Sequence, residues 1–195
     1  MKTPLLTTKR LILKPIALSD APAIQKYFNN WNIIKNLTTD VPWPYPDDGA
    51  EYFLKNIALP KVAEGASLLW GIHIKNGPDE PVGIIEYRFN NDLGRGNRGF
   101  WLAEPFWGKG YMTEAVTAVQ DHLFFELGIN RIIVLNAKSN SGSRRVKEKT
   151  GAKFISHCKL EHRSGETESE KWEITFESWA IIRGKSLTER GASPI

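Results

Sequence analysis

The sequence predicts a mixed α/β fold built on one largely antiparallel sheet with helices packed against it. Three observations carry that expectation. Leu68–Lys75, Pro81–Asn90 and Arg98–Ala103 are β-rich runs, and Asn76-Gly77-Pro78-Asp79 forms a turn between the first two, so the three read as an antiparallel meander. The apolar period then lengthens to 3.6 through Met112, Val116, Val119, Leu123 and Leu127, which is a helix. Strand and helix patterns alternate from there to about Ile182.

Taken in order, Leu11–Ile16 alternates and reads as the first strand. Ser19 or Asp20 can cap a helix that runs to about Asn30. Trp31 to Pro46 is a shaped loop, because Pro42, Pro44 and Pro46 exclude a long helix or a central strand, though a short helix fits near Asn32–Leu37. Asp47 or Asp48 caps a helix from Ala50 to about Glu64, with Tyr52, Phe53, Ile57 and Val62 on its apolar side. Asn91–Asn97 is a loop, and Gly128 stops the long helix. Arg131–Ala137 is apolar on both faces and suits a central strand. Asn140 or Ser141 starts a short helix ending near Gly151. Lys153–Leu160 and Lys171–Ile182 read as a closing hairpin joined by the polar Arg163–Glu170 connection. No repeat or low-complexity linker divides the chain, so residues 1–182 are expected to be one domain and 183–195 a polar tail.

Composition narrows the function classes. Hydrophobic residues at 41% and charged residues at 25% exclude a disordered chain, and no apolar run is long enough for a transmembrane helix. No apolar segment follows the charged N-terminus, so no secretory signal is expected. One cysteine, Cys158, forms no intrachain disulfide and no zinc cluster, and a reducing cytoplasm is the expected compartment. His73, His122, His157 and His162 lack metal-ligand spacing, so no metal is expected. The formal charge of +4 favours a small polyanionic ligand, while the absence of a long basic stripe argues against direct nucleic-acid binding. The densest basic group is Arg144, Arg145, Lys147 and Lys149.

The informative stretch is Arg98–Ala118. A strand ends, Pro105 breaks it, and Gly108-Lys109-Gly110 turns directly into the amphipathic helix. First-turn N–H groups have no intrahelical partner and sit at the positive end of the helix dipole. Glycines let a ligand approach the backbone, so this turn is a competent diphosphate cradle. It is neither a P-loop nor a three-glycine dinucleotide fingerprint.

Pro105-Phe-Trp-Gly-Lys-Gly-Tyr-Met-Thr-Glu-Ala115 resembles the acetyl-coenzyme A motif of the GNAT acetyltransferase superfamily. Gly99-Phe-Trp-Leu102 resembles that family's fourth strand, and Asn140–Phe154 its N-x-x-S-x-R-V-x-E-K-x-G-F segment. Val41–Leu54, the opening Thr-Lys-Arg-Leu-Ile-Leu and the late Lys-Trp-Glu-Ile-Thr resemble the RimJ/RimL branch, the ribosomal-protein N-terminal acetyltransferases and their relatives. The likeness spans about residues 5 to 180. In the superfamily pattern Q/R-x-x-G-x-G/A, Trp107 stands at the first position and Met112 at the last, so only Gly110 keeps its type. Asn97 stands where the branch often carries an acidic residue.

The resemblance implies a GNAT fold with splayed strands at the cofactor cleft. It implies direct transfer of acetyl from acetyl-coenzyme A to a primary amine in a ternary complex, by a monomer or homodimer. The acceptor is a protein or peptide N-terminal α-amine or a small-molecule amine; the alternative is a non-catalytic acyl-coenzyme A-binding module. The expected cofactor residues are Trp101, Leu102 and Ala103 along the pantetheine arm, and Trp107, Gly108, Lys109, Gly110, Tyr111, Met112 and Thr113 at the diphosphate. Asn140, Ser143 and Arg144 complete that set; Arg144 and Arg145 could each reach the adenosine-side phosphates, with a plain surface role as the other reading for at least one of them. Ser143 is the expected proton donor to the leaving thiolate, or else an early-helix serine bonded to its own turn. Asn140 reads as a helix cap, a cofactor contact, or both. Glu86 is the candidate general base, with an ion pair to Arg88, two positions on, as its other reading. Water and His73 are further base candidates. Trp31, Trp43 and Tyr45 line the expected acceptor pocket or pack over the sheet.

Overall fold

The structure is a computed structural model that describes residues 2–90 and 96–191. Residues 91–95 of the expected Asn91–Asn97 loop, and 192–195 of the tail, lie outside the described residues. The strands are β1 (Leu6–Thr7), β2 (Leu11–Pro15), β3 (Ser67–Ile74), β4 (Gly83–Arg88), β5 (Arg98–Leu102), β6 (Arg131–Ala137), β7 (Lys153–Lys159) and β8 (Glu168–Thr175). The helices are α1 (Ala21–Phe28), α2 (Trp31–Ile34), α3 (Gly49–Phe53), α4 (Leu59–Ala63), α5 (Tyr111–Asp121), α6 (Ser141–Lys149) and α7 (Phe176–Arg183). A wider π turn, Leu54–Ala58, joins α3 to α4, and another, His122–Glu126, extends α5.

The strands form two antiparallel sheets, one in the order β1-β2-β3-β4-β5 and one in the order β6-β8-β7. The five-stranded sheet has a helix layer on each face. Leu13, Trp70, Ile85 and Leu102 pack toward Met112, Val116 and Val119 of α5. On the other face Leu69 and Ile84 pack toward Ile24 and Phe28 of α1, Ile33 and Ile34 of α2 and Leu54. Each strand therefore carries apolar side chains on both sides, which is why the central runs read as continuous rather than alternating.

Besides a shared apolar core, hydrogen bonds between Asn97 and Ile133 join the sheets among the described residues. The main-chain N–H of Asn97 donates to Ile133 O at 2.6 Å. The Asn97 Oδ1 accepts from the Ile133 N–H at 2.9 Å, and its Nδ2 donates to Arg88 O at 3.2 Å. Beyond this stitch β5 and β6 share no ladder, and a gap opens between them.

The C-terminal region differs from the expected hairpin. The second strand of the hairpin begins at Glu168 and ends at Thr175, and Phe176–Arg183 is a helix rather than strand. Thr175 and Ser178 form a reciprocal cap, each hydroxyl accepting from the other's main-chain N–H at 3.2 Å. The alternation Trp172, Ile174, Phe176 runs straight into the helix start, so period 2 extends one residue beyond the strand. Trp179 and Ala180 of α7 are buried in the core, and the tail is tethered by Arg190, which donates to Gly128 O at 2.8 Å.

The β7–β8 connection is tied to the segment after α2. Its His162 is buried, with Nε2 2.7 Å from Ser169 Oγ and Nδ1 3.2 Å from Asn36 O. Burial pushes this imidazole below its ordinary value of 6.5, and does the same to His73 in β3. A lowered histidine pKa means the unfolded chain takes up protons that the folded chain refuses. Stability should therefore fall as pH drops from about 7.5 through about 6.5 and level off below the folded pKa values. Urea unfolding at pH 7.5 and 5.5 checks this, and His162→Gln should flatten the slope. Asn97→Ala should cost about 1–3 kcal/mol in the same assay, because it leaves the Ile133 N–H without its acceptor.

Candidate active site

The gap between the sheets opens into a cleft of about 480 Å³. Three segments wall it: Asn32–Leu37 at and after α2, the end of β5 with the turn into α5, and the first two turns of α6 with Ser139 and Asn140 before it.

The turn into α5 is built by two glycines in the left-handed region, Gly108 at φ +75° and Gly110 at φ +78°. Both therefore select against side chains. A Cβ at Gly108 would meet nothing within 4 Å, and one at Gly110 would meet only Arg10 Nη2 at 3.5 Å. Gly110 is the N-cap and offers no side chain to the first turn, whose earliest main-chain bond is from Glu114 N–H to Gly110 O. The N–H groups of Tyr111, Met112 and Thr113 thus face the cleft at the positive end of an 11-residue helix. The nearby carboxylate of Glu114 is turned away: it accepts from Arg10 Nε and Thr8 Oγ1, each at 2.6 Å. Burial works against its ionisation, but these bonds hold it below the usual carboxylate range.

The end of β5 supplies an unpaired edge. Arg88 N–H bonds to Asn97 O and Ala103 N–H to Val82 O, so alternation aims the main-chain groups of Phe100 and Leu102 away from β4. Leu102 O is taken by the Trp107 indole N–H at 2.6 Å. Trp107 at this position is therefore a clamp across the turn.

On the opposite wall, Asn140 caps α6, its Oδ1 accepting from Ser143 N–H at 3.0 Å. Ser143 lines the cleft, and its Oγ lies 2.7 Å from Lys147 Nζ one turn on. Arg145 and Lys149, four residues apart, also line it. Lys35 adds a third cation, and no carboxylate belongs to the lining among the described residues.

The structure thus gathers Trp101, Leu102, Trp107, Gly108, Gly110, Tyr111, Met112, Thr113, Asn140 and Ser143 around one cleft. Other expected residues lie apart from it. Arg144 points the other way and donates from Nε to buried Glu170 at 3.0 Å and from Nη2 to Lys138 O at 2.9 Å. Lys109 folds back to donate to Pro105 O at 2.9 Å. Ala103 is buried with its N–H committed to Val82. Glu86 is ion-paired with Arg88, which also donates to Gly96 O, and it does not line the cleft. Tyr45 is buried against Phe28, ring centroids 5.1 Å apart, and burial raises its phenol to about 12. Trp31 and Trp43 pack at a tilt, ring centroids 5.1 Å apart, each 39% exposed, beside the cleft wall begun by Asn32. Arg144 and Arg145 are both sequence candidates for the adenosine-side phosphates, and only Arg145 lines the cleft; the α2 wall and Lys149 are not among the expected site residues. The i, i+4 spacing of Arg145 and Lys149 was the available signal.

Comparisons with known proteins agree with this geometry. Residues 10–153 match the acetyltransferase (GNAT) domain. The chain is 28% identical over 128 residues to the uncharacterized N-acetyltransferase p20 of Bacillus licheniformis, covering 65% of this chain and 70% of that one. Its fold superposes on RimL, the ribosomal L7/L12 alpha-N-protein acetyltransferase in complex with coenzyme A, with a TM-score of 0.73 at 18% identity, covering 90% of this chain and 99% of that one. RimJ of Mycobacterium smegmatis, in complex with a coenzyme A disulfide, gives 0.71 at 20% identity, covering 90% of each chain. Nothing among these supports the reading as a non-catalytic binding module. A splayed sheet, a glycine-built helix N-terminus and a cationic cleft are what an acyl-coenzyme A enzyme requires, and the chain belongs to the GNAT family as an acetyl-coenzyme A-dependent N-acetyltransferase.

Proposed function

We propose that the acceptor is the N-terminal α-amine of a protein or peptide, acetylated directly within a ternary complex. The observation that carries this is the charge of the cleft: Lys35, Arg145 and Lys149 line it and no lining carboxylate is present among the described residues. A polyamine would bring several positive charges into that field, which Coulomb repulsion disfavours. A peptide terminus brings one amine, which loses its charge before attack, followed by neutral amide groups. The exposed Trp31–Trp43 pair beside the α2 wall offers a surface for the residues that follow the acceptor amine. RimL, a fold neighbour, is described as an alpha-N-protein acetyltransferase. The single cysteine fits a cytoplasmic setting.

In this reading the N–H groups of Tyr111, Met112 and Thr113 hold the diphosphate of acetyl-coenzyme A, and Arg145 and Lys149 add charge at its phosphate end. The edge groups left free, those of Phe100 and the N–H of Leu102, orient the pantetheine arm and polarise the thioester carbonyl. Ser143 gives the departing sulfur its proton. Asn140, as the cap of α6, fixes where the Ser143 turn begins. Glu86 is not needed as a base, since its carboxylate is engaged by Arg88.

Mass spectrometry across peptides and small amines tests the acceptor. Free N-terminal peptides should gain one acetyl group and N-formylated peptides with internal lysines none; faster acetylation of spermidine than of any peptide would refute the assignment. Gly110→Val forces a β-branched residue into the left-handed region and should raise the coenzyme A Kd about tenfold or more. Ser143→Ala should lower kcat about tenfold to a hundredfold with little change in the acetyl-coenzyme A KM.

A further inference from the structure

Lys147 is buried at 1% exposure, on the α6 turn that follows Ser143. A lysine ammonium carries three donors and is almost never fully buried without a counter-charge. Here Nζ has one hydrogen-bond partner, the Ser143 hydroxyl at 2.7 Å, and no carboxylate within ion-pair distance among the described residues. The ring of Phe100 lies 5.8 Å away. Two charged groups on neighbouring elements act on it. Arg98 of β5 is also buried, donates to Gln120 of α5, and has Nε and Nη2 without partners. Glu170 of β8 is already bonded to Arg144 and to Asn136.

Two buried cations with no ion-paired carboxylate among the described residues cannot both keep their charge cheaply. Burial lowers the Arg98 guanidinium too, to about 9, but a guanidinium holds its proton more tightly than an ammonium, so the lysine charge is the less favoured of the two. Burial first, then the charge of Arg98, push the Lys147 ammonium well below its ordinary value, while Glu170 opposes the shift. Nζ donates to Ser143 Oγ, and once it has given up a proton it can instead accept from the Ser143 O–H. The hydroxyl that lines the cleft is thus backed by an amine.

We propose that Ser143 and Lys147 form a two-residue proton relay for acetyl transfer, with Lys147 as the residue that sets the protonation of Ser143. This rests on the placement of Ser143 at the departing sulfur. As the acceptor nitrogen bonds to the thioester carbonyl carbon, it carries one proton in excess. That proton passes to Ser143 Oγ while the hydroxyl's own proton passes to Lys147 Nζ. When the carbon–sulfur bond breaks, its electron pair stays on sulfur. The proton then returns from Lys147 through Ser143 to the thiolate. The enzyme ends with the protons it began with, and no carboxylate base is required.

Two measurements test the relay. The first needs no substrate: NMR titration of the lysine side-chain Cε signals in the free protein, with Lys147 assigned by its loss in Lys147→Met. Its signal should titrate well below those of the other lysines, and Ser143→Ala should shift that titration. Titration of Lys147 together with the surface lysines, or indifference to Ser143→Ala, overturns the proposal. The second is the kinetics of Lys147→Met, which keeps an unbranched apolar chain in the site and should fold with unchanged stability. It should lose about a hundredfold in kcat, keep the wild-type KM for acetyl-coenzyme A, and lose one ionisation from the acid limb of kcat. Wild-type turnover in Lys147→Met with an impaired Ser143→Ala strikes the relay alone. Wild-type turnover in Ser143→Ala strikes the placement of Ser143 and the relay with it.

Discussion

The molecule depends on a sheet that is fastened at one end and left open at the other. Asn97 bonds to Ile133 through both main chain and side chain, and past that residue β5 and β6 share no ladder with each other. An unpaired strand edge is normally a liability, covered or blunted in most proteins. Here it is placed deep in a cleft, where a substrate with its own amide groups can pair with it. The opening also brings two helix N-termini, of α5 and α6, to face one space. Main-chain donors at the two helix starts put partial positive charge on the cleft with few charged side chains.

Charge is distributed with the same economy. Carboxylates near the cleft are held elsewhere: Glu114 by Arg10 and Thr8, Glu104 by Asn30 and Asn32, Glu170 by Arg144. What remains on the lining is cationic. Behind it, Arg98 and Lys147 are buried with no ion-pair partner among the described residues, and Lys147 Nζ is bonded to the Ser143 hydroxyl.

Much of this was legible in the sequence, for identifiable reasons. The Gly108–Gly110 turn and the α5 stripe are local features, and local rules predict them. Asn140 was legible as a cap because capping acts over three residues. The end of β8 was not, because Phe176 continues the strand alternation and only the Thr175–Ser178 cap marks the change. Arg144 and Arg145 look alike in sequence, and only the packing of α6 against Glu170 decides which one faces the cleft. Tyr45 shares its proline-rich loop with Trp43, yet one is buried and the other half-exposed, a distinction set by the contact with Phe28. Asn97 departs from the family pattern in a way the sequence shows; its role as the stitch between sheets depends on a partner 36 positions away.

The account stands or falls on where the diphosphate sits. A crystal structure with coenzyme A bound is the most direct measurement. The account predicts diphosphate oxygens within hydrogen-bond distance of the Tyr111, Met112 and Thr113 N–H groups, with the thiol end directed toward Ser143. Coenzyme A bound with its diphosphate away from the start of α5 would contradict it.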